Sequence, residues 1–272
     1  MKTVNDSAFV PTALTIAGNA ASGAGGLPVD LKTFHELGVY GMGAVTCLVS
    51  FQADAGWGHS FFPIPPEQIL QQIRSAIQIR PIEVTKIGML GTVPSIEATA
   101  EGLSLQQWKH VVLDPVLICK GQEASSALAV DQALIEHILP SATVVTPNLF
   151  ETQALSGRQV TTLDELKDAA RAIGDLGVPY VVAKGGLGLP GEDAVDVLWD
   201  GSEITEFRAR KRGDQPLNGA GCTLAAAITA ELAKGAEVEA AVSVAREFVT
   251  HAIDHRQPLN MPNDAVWQGG WR

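Results

Sequence analysis

The chain has 272 residues, 46% hydrophobic and 18% charged, which is enough apolar material for a substantial buried core. Its formal net charge of −11 argues against nucleic acid or an anionic membrane surface as the main partner. Phosphate ligands stay open, because backbone N–H groups and single lysines can bind them whatever the overall charge.

Residues 1–12 are mixed and polar, without an apolar signal segment. The longest uncharged stretch, residues 39–53, is broken by Gly41 and Gly43 and is too short to span a bilayer. It reads as a buried strand. Cys47, Cys119 and Cys222 are odd in number and far apart, forming neither a disulfide framework nor a zinc pattern. These features predict a soluble cytoplasmic protein.

Residues 13–17 form a short apolar run ending at Gly18, a first buried strand. A loop of glycine and small residues runs to Gly26, and residues 29–37 then show helical spacing up to Gly38. Strand, glycine loop and helix suggest nucleotide binding. The dinucleotide fingerprint is nevertheless incomplete, because residues 44–51 are uncharged and no acid ends a second strand. Residues 66–79 carry Ile69, Ile73 and Ile77 at four-residue steps behind Pro66, an amphipathic helix.

Strands at 84–87, 111–113, 142–145 and 179–183 alternate with helices at 95–103, 130–139 and 163–176, the last capped by Thr161 or Thr162. Such alternation is the sequence form of right-handed βαβ units around a parallel sheet. Residues 195–199 and 204–209, separated by Asp200-Gly201, read as an added antiparallel hairpin. Helices at 222–234 and 238–255 follow. Without repeats or low-complexity linkers, residues 1–272 are expected to form a single domain.

The chemistry collects around Asn218-Gly219-Ala220-Gly221-Cys222-Thr223. Two glycines let backbone N–H groups approach a ligand, and the following helix adds unpaired donors and its positive end, so an anion is favoured there. Cys222 sits at that helix start, where a thiol pKa tends to fall. Asp114, Asn148 and Lys184 stand at predicted carboxyl ends of strands, the ligand-binding side of open parallel sheets. Asp114 suits Mg2+ or a turn before Pro115. Asn148 and Glu151 lie one helical turn apart, a spacing shared with helix caps. Lys184-Gly185-Gly186 puts an ammonium where nucleotide phosphates could meet it, although G-x-x-x-x-G-K-[ST] is absent. Cys47 reads as core. The six histidines form no metal cluster, and His59 is a candidate for a pocket rim or an ordinary surface position.

Several stretches occur in order: Thr15-Ile16-Ala17-Gly18, Asp30-Leu31-Lys32-Thr33-Phe34, Lys86-Ile87-Gly88-Met89-Leu90, Asp114-Pro115-Val116, Thr146-Pro147-Asn148-Leu149-Phe150-Glu151, Lys184-Gly185-Gly186 and Gly219-Ala220-Gly221-Cys222-Thr223. Over about residues 12–256 the chain resembles the ThiD-like branch of the ribokinase superfamily, the hydroxymethylpyrimidine (phosphate) kinases and related bacterial pyridoxal kinases. The resemblance implies a ribokinase-like three-layer α/β/α fold with a mostly parallel central sheet, and a homodimer. It also implies ATP- and Mg2+-dependent transfer of the γ-phosphoryl group to a hydroxymethyl on a heteroaromatic ring.

By the same resemblance Gly219, Ala220 and Gly221 form the anion hole and Cys222 is the base, where most of the superfamily has Asp. Asp114 and Glu151 match the Mg2+ positions, and Asn148 and Lys184, with Gly186 and Thr223 beside them, the nucleotide site. Asp30, Met89 and Val116 match the region of the substrate ring, with His59 at its rim.

Three features point toward pyridoxal. Ile118-Cys119-Lys120-Gly121 resembles the pyridoxal kinases' lid, whose second cysteine could share a proton with Cys222 or add to pyridoxal's aldehyde. Asn148-Leu149-Phe150-Glu151 departs from the pyrimidine kinases' N-L-P-E. Phe51 stands where those enzymes carry Gln or Glu for the pyrimidine's amino group, which pyridoxal lacks. The expected reaction is phosphorylation of the 5′-hydroxymethyl of pyridoxal, a vitamin B6 salvage step. The alternatives are a hydroxymethylpyrimidine kinase of thiamine biosynthesis and a catalytically weak vitamin-binding relative. The last is suggested by Asn19 and Ala20, where the family usually has Ser and Asp; Pro28 and Asn218 are further departures, from a usual Gln and an often-found His.

Overall fold

The apolar runs become a nine-stranded sheet in a computed structural model that describes residues 10–117 and 124–271. In chain order the strands and helices are β1 (Thr12–Ala20), α1 (Leu27–Glu36), β2 (Tyr40–Gln52), β3 (Gly58–Pro63), α2 (Pro66–Ile79), β4 (Val84–Ile87), α3 (Val93–Leu103), β5 (His110–Leu113), α4 (Ala124–His137), β6 (Val144–Val145), α5 (Leu149–Ser156), α6 (Leu163–Gly174), β7 (Tyr180–Lys184), β8 (Asp193–Trp199), β9 (Ile204–Arg210), α7 (Ala220–Ala233) and α8 (Val238–Asp254). The sheet order is β3-β2-β1-β4-β5-β6-β7-β8-β9. Strands β2, β1, β4, β5, β6 and β7 are parallel neighbours, while β3, β8 and β9 add antiparallel edges.

Burial explains why the central strands read as unbroken apolar runs. Strands covered on both faces have no polar side. Along β5, Val111 and Leu113 point into one core while Val112 points into the other. One face is covered by α2, α3, α4 and α6 through residues such as Ile73, Ile96, Leu134 and Leu166. The opposite face is covered by α1, α7 and α8 through Phe34, Ile228 and Phe248. The three-layer α/β/α arrangement with a mostly parallel sheet is therefore as expected, and the hairpin expected at 195–209 is β8–β9. Among the described residues no helix is long and apolar enough to cross a membrane.

Three expectations change. The stretch at 39–53 is a strand but only partly buried: it pairs with β1 as far as Val49 and antiparallel with β3 from Cys47 to Gln52, near the edge of the sheet. Cys47 and Val49 are buried there while Leu48 and Ser50 are exposed, the period-two pattern of a ribbon covered on one face. β3 itself shows no sequence pattern that would announce a strand, and its partner supplies its order. Helix α5, of which the sequence showed only the start at Asn148 and Glu151, runs for eight residues.

Candidate active site

The carboxyl ends of β1, β4, β5, β6 and β7 deliver Gly18, Gly88-Met89, Asp114, Asn148 and Lys184 to one edge of the sheet, and the start of α7 closes on them. A cleft of about 590 Å3 lies there, a size suited to a nucleotide. Asp114, Val116, Asn148, Glu151, Lys184 and Gly186 line one part, and residues 219–222 another.

Gly219 caps α7 at φ 84 without a side-chain hydrogen bond, so the first N–H groups of the helix carry no capping side chain. A Cβ on Gly219 would stand 2.7 Å from the Ala24 carbonyl oxygen, which ties the 219–222 turn to the first glycine loop. A Cβ on Gly221 would stand 3.3 Å from Lys184 Nζ, so that ammonium lies against the helix start. Two positive ends thus share one spot. Asp114 offsets them, its Oδ1 3.4 Å from Lys184 Nζ. Burial works against the Lys184 charge, but Asp114 first, then Glu151, Cys222 and Asp196, hold its pKa above the ordinary lysine value. An ammonium beside the N–H groups of a helix start is an arrangement that suits an anion.

Cys222 is the third residue of α7 and faces the cleft. The sequence expectation was a lowered thiol pKa; desolvation overrides the helix end and pushes it up to about 11. Lys86 and the Gly26 N–H oppose that rise, while Asp114 and Asp30 add to it. Gly26 is irreplaceable, since its φ is 62 and a Cβ would fall 2.1 Å from the Gly18 carbonyl oxygen.

Asp30, expected at the substrate ring, lies beneath the site with a side chain that is 0% exposed. Lys86 Nζ donates to both its oxygens, at 3.1 and 3.0 Å, and the Thr15 hydroxyl donates to Oδ2 at 2.6 Å. Burial disfavours the Lys86 charge, yet Asp30, then Cys222 and Asp114, hold its pKa above the usual lysine value. Thr223 is likewise behind the cleft: it is fully buried, and its hydroxyl accepts from Gln268 Nε2 at 2.9 Å.

Glu151 fulfils both sequence readings at once. Its Oε2 accepts the Asn148 N–H at 2.8 Å while Asn148 Oδ1 accepts the Glu151 N–H at 3.0 Å, a capping box, and both residues line the cleft. Burial pushes Glu151 up to about 7, opposed by Lys184 and reinforced by Asp114.

Three more of the expected ring residues are off this cleft. Phe51 and His59 are cross-strand partners on β2 and β3 with ring centroids 6.1 Å apart. Met89 follows β4, and its carbonyl accepts from the Gly18 N–H at 3.0 Å and the Thr46 hydroxyl at 2.7 Å. Its methyl group and Cys47 Sγ crowd Gly18, where a Cβ would be 3.1 and 2.6 Å away. Cys119 and the lid expected at residues 118–122 lie outside the described residues.

The sequence reading missed Gly26, Lys86, Asp196 and Arg246. Lys86 and Asp196 had a signal, each being the charged residue inside an apolar strand run; Arg246 had none, being one charge among several on α8. Among the described residues no cluster of three or more His, Cys, Asp or Glu could hold a metal.

Pyridoxine kinase of Bacillus subtilis is 47% identical over 250 residues, covering 91% of this chain and 92% of that protein. The crystal structure of an ADP complex of Bacillus subtilis pyridoxal kinase superposes with a TM-score of 0.92 at 43% identity, covering 97% of this chain and 99% of that one. The Staphylococcus aureus pyridoxal kinase, in complex with AMP-PCP and pyridoxal, superposes at 0.89 and 35% identity, covering 97% and 95%. A family model described as phosphomethylpyrimidine kinase matches residues 20–267, and the chain belongs to that family.

Proposed function

We propose that this protein is a pyridoxal kinase, transferring the γ-phosphoryl group of ATP to the 5′-hydroxymethyl of pyridoxal to give pyridoxal 5′-phosphate. The observation that carries the reading is the meeting of Lys184 with the uncapped start of α7, beside a thiol and two carboxylates, in one cleft. Pyridoxal is favoured by the pyridoxine kinase relative and by the pyridoxal-bound Staphylococcus aureus structure. Phe51 stands off this cleft, and by the resemblance alone its position offers no partner to a pyrimidine amino group.

Phosphoryl transfer asks the protein mainly to position groups and to absorb charge. The N–H groups of Ala220, Gly221 and Cys222 stabilise charge on the transferred group, and Lys184 grips the nucleotide phosphates beside Asn148 and Gly186. Cys222 takes the hydroxyl proton late, through an ionised fraction that Lys86 and the Gly26 N–H sustain. Asp114 and Glu151 fit Mg2+, which favours one or two carboxylates plus phosphate oxygens and water; burial raises the Glu151 pKa first and the Asp114 charge adds to it, and a bound cation would favour the ionised form of both. When bound, the ion neutralises phosphate charge.

The runner-up is phosphorylation of hydroxymethylpyrimidine, which the name of the matching family favours. A coupled ADP-release assay with pyridoxal, pyridoxine and hydroxymethylpyrimidine separates the two. Faster turnover of pyridoxal than of the pyrimidine is expected. Turnover of the pyrimidine alone would install the runner-up, and no turnover of any of the three would leave a vitamin-binding protein.

A further inference from the structure

We propose that Arg246 and Asp196 are positioning residues for nucleotide binding, fixing the Lys184-Gly185 turn from the wall of the cleft. The inference rests on the reading of Lys184 as a phosphate-binding residue and goes beyond it, to the groups that fix the turn carrying that lysine.

Arg246 lies within α8, its side chain 16% exposed. Its Nη1 donates to Asp196 Oδ2 at 2.5 Å, and its Nη2 donates to the carbonyls of Ala194 at 3.2 Å and Phe207 at 3.3 Å. Asp196 sits within the apolar run of β8, and its other oxygen, Oδ1, accepts the N–H of Gly185 at 3.1 Å. One guanidinium therefore reaches β8, β9 and, through one carboxylate, the residue next to Lys184.

The hairpin does not require this pair. β8 and β9 are joined by backbone pairing from Asp193↔Arg210 to Trp199↔Ile204. Burying two charges costs several kcal/mol per ion before their attraction and hydrogen bonds offset it, and apolar side chains could fill the same space. The N–H of Gly185 is shared between the Val195 carbonyl oxygen and Asp196 Oδ1, each at 3.1 Å, so what the pair adds, and an apolar pair could not, is a second and charged acceptor that ties the turn to α8.

That turn has little freedom to move. A Cβ on Gly185 would lie 2.3 Å from the Val195 carbonyl oxygen, and Gly186 has φ +50. Lys184 is the register partner of Asp196, so the carboxylate that holds Gly185 lies opposite the strand residue carrying the ammonium. Arg246 and Asp196 line the same cleft, as do Val249, Thr250 and Ile253, three, four and seven residues after Arg246 and so on its helix face. The helix that walls the cleft thus also sets the lysine. Misplacing a positioned group by an ångström is costly in such sites.

The test is calorimetric titration of Mg-ADP, and separately of pyridoxal, into the wild type, Arg246→Met, Arg246→Lys and Asp196→Asn, with Lys184→Met alone and combined with Arg246→Met. Arg246→Met is expected to weaken ADP binding about tenfold, the scale of a hydrogen bond to a charged group, and to leave pyridoxal binding within about twofold. Arg246→Lys and Asp196→Asn, each keeping part of the contact, should show smaller losses confined to ADP. The double variant should bind ADP no more weakly than Lys184→Met alone, because Arg246 acts through Lys184.

Unchanged ADP affinity, equal losses for ADP and pyridoxal, or additive losses in the cycle would each overturn the proposal. If Arg246→Met does not fold, the two conservative variants decide it by the same criteria. A wild type that does not bind ADP would overturn the nucleotide reading of Lys184, and the proposal with it. A wild type that binds while the folded variants bind equally well overturns this inference alone.

Discussion

At Cys222 burial opposes the chemistry asked of the thiol, and two neighbours answer it: the ammonium of Lys86 and the N–H of Gly26. Cys222→Ala is expected to lower turnover by about two to four orders of magnitude, the usual scale for a general base, with ADP still bound. Near-normal turnover would remove the thiol from the mechanism. Glu151 gives a second residue-level prediction. Its folded pKa of about 7 lies above the ordinary 4.5, so its stabilising contribution is complete below the ordinary value and is lost as pH rises through 7. Glu151→Gln keeps an acceptor for the Asn148 N–H but loses the charge. Without Mg2+ the wild type should lose up to about 3 kcal/mol more than the variant between pH 5 and 8 in urea titrations. The variant's turnover should need a higher Mg2+ concentration. An unchanged Mg2+ titration would leave Glu151 a helix cap only. The pair's spacing was legible in the sequence, but whether it capped a helix or faced a ligand was not, because only the packing of α5 puts both residues on the cleft.

The elements are pinned by groups the sequence hides. Asp30 on α1, Lys86 on β4 and Thr15 on β1 form one buried ionic knot under the catalytic turn. Asp30→Ala strands a buried ammonium and should cost about 3–5 kcal/mol in urea unfolding, whereas an Asp30→Leu/Lys86→Met double variant should recover much of it. No recovery would mean that the site needs more than charge balance. The β2–β3 ribbon pairs Phe51 with His59, and the resemblance alone assigns Phe51 to the substrate ring. Phe51→Gln is expected to shift the ratio of pyrimidine to pyridoxal phosphorylation toward the pyrimidine by about 1 kcal/mol, the net value of one hydrogen bond. An unmoved ratio in the coupled assay would take Phe51 off the ring. β3 escaped the sequence reading for a physical reason: an exposed edge strand needs no apolar period, and its order comes from the neighbour it pairs with.

Over the whole molecule, the outer face of that ribbon offers Leu48 and Phe62, register partners that are 45% and 63% exposed. Large apolar side chains adjacent and uncovered are what a partner surface provides. A homodimer through this face is the expected assembly. Light scattering should give twice the chain mass for the wild type and the single mass for Leu48→Glu/Phe62→Glu. A monomeric wild type, or a variant that stays dimeric, would move the interface elsewhere or abolish it.

The layered α/β architecture was legible in the sequence alone because burial on two faces leaves an unbroken apolar strand, and a helix over a sheet leaves a four-residue stripe; both are local patterns. Ordered motifs at strand ends placed Asp114, Asn148, Lys184 and the 219–222 turn, which do share one cleft. Only the tertiary structure decided that Asp30 and Thr223 lie behind that cleft, that the Cys222 thiol is raised, and that Arg246 reaches the turn beside Lys184 through Asp196. Each of these depends on what surrounds a side chain far along the chain, on desolvation and on opposing charge, and neither is written in the spacing of nearby residues.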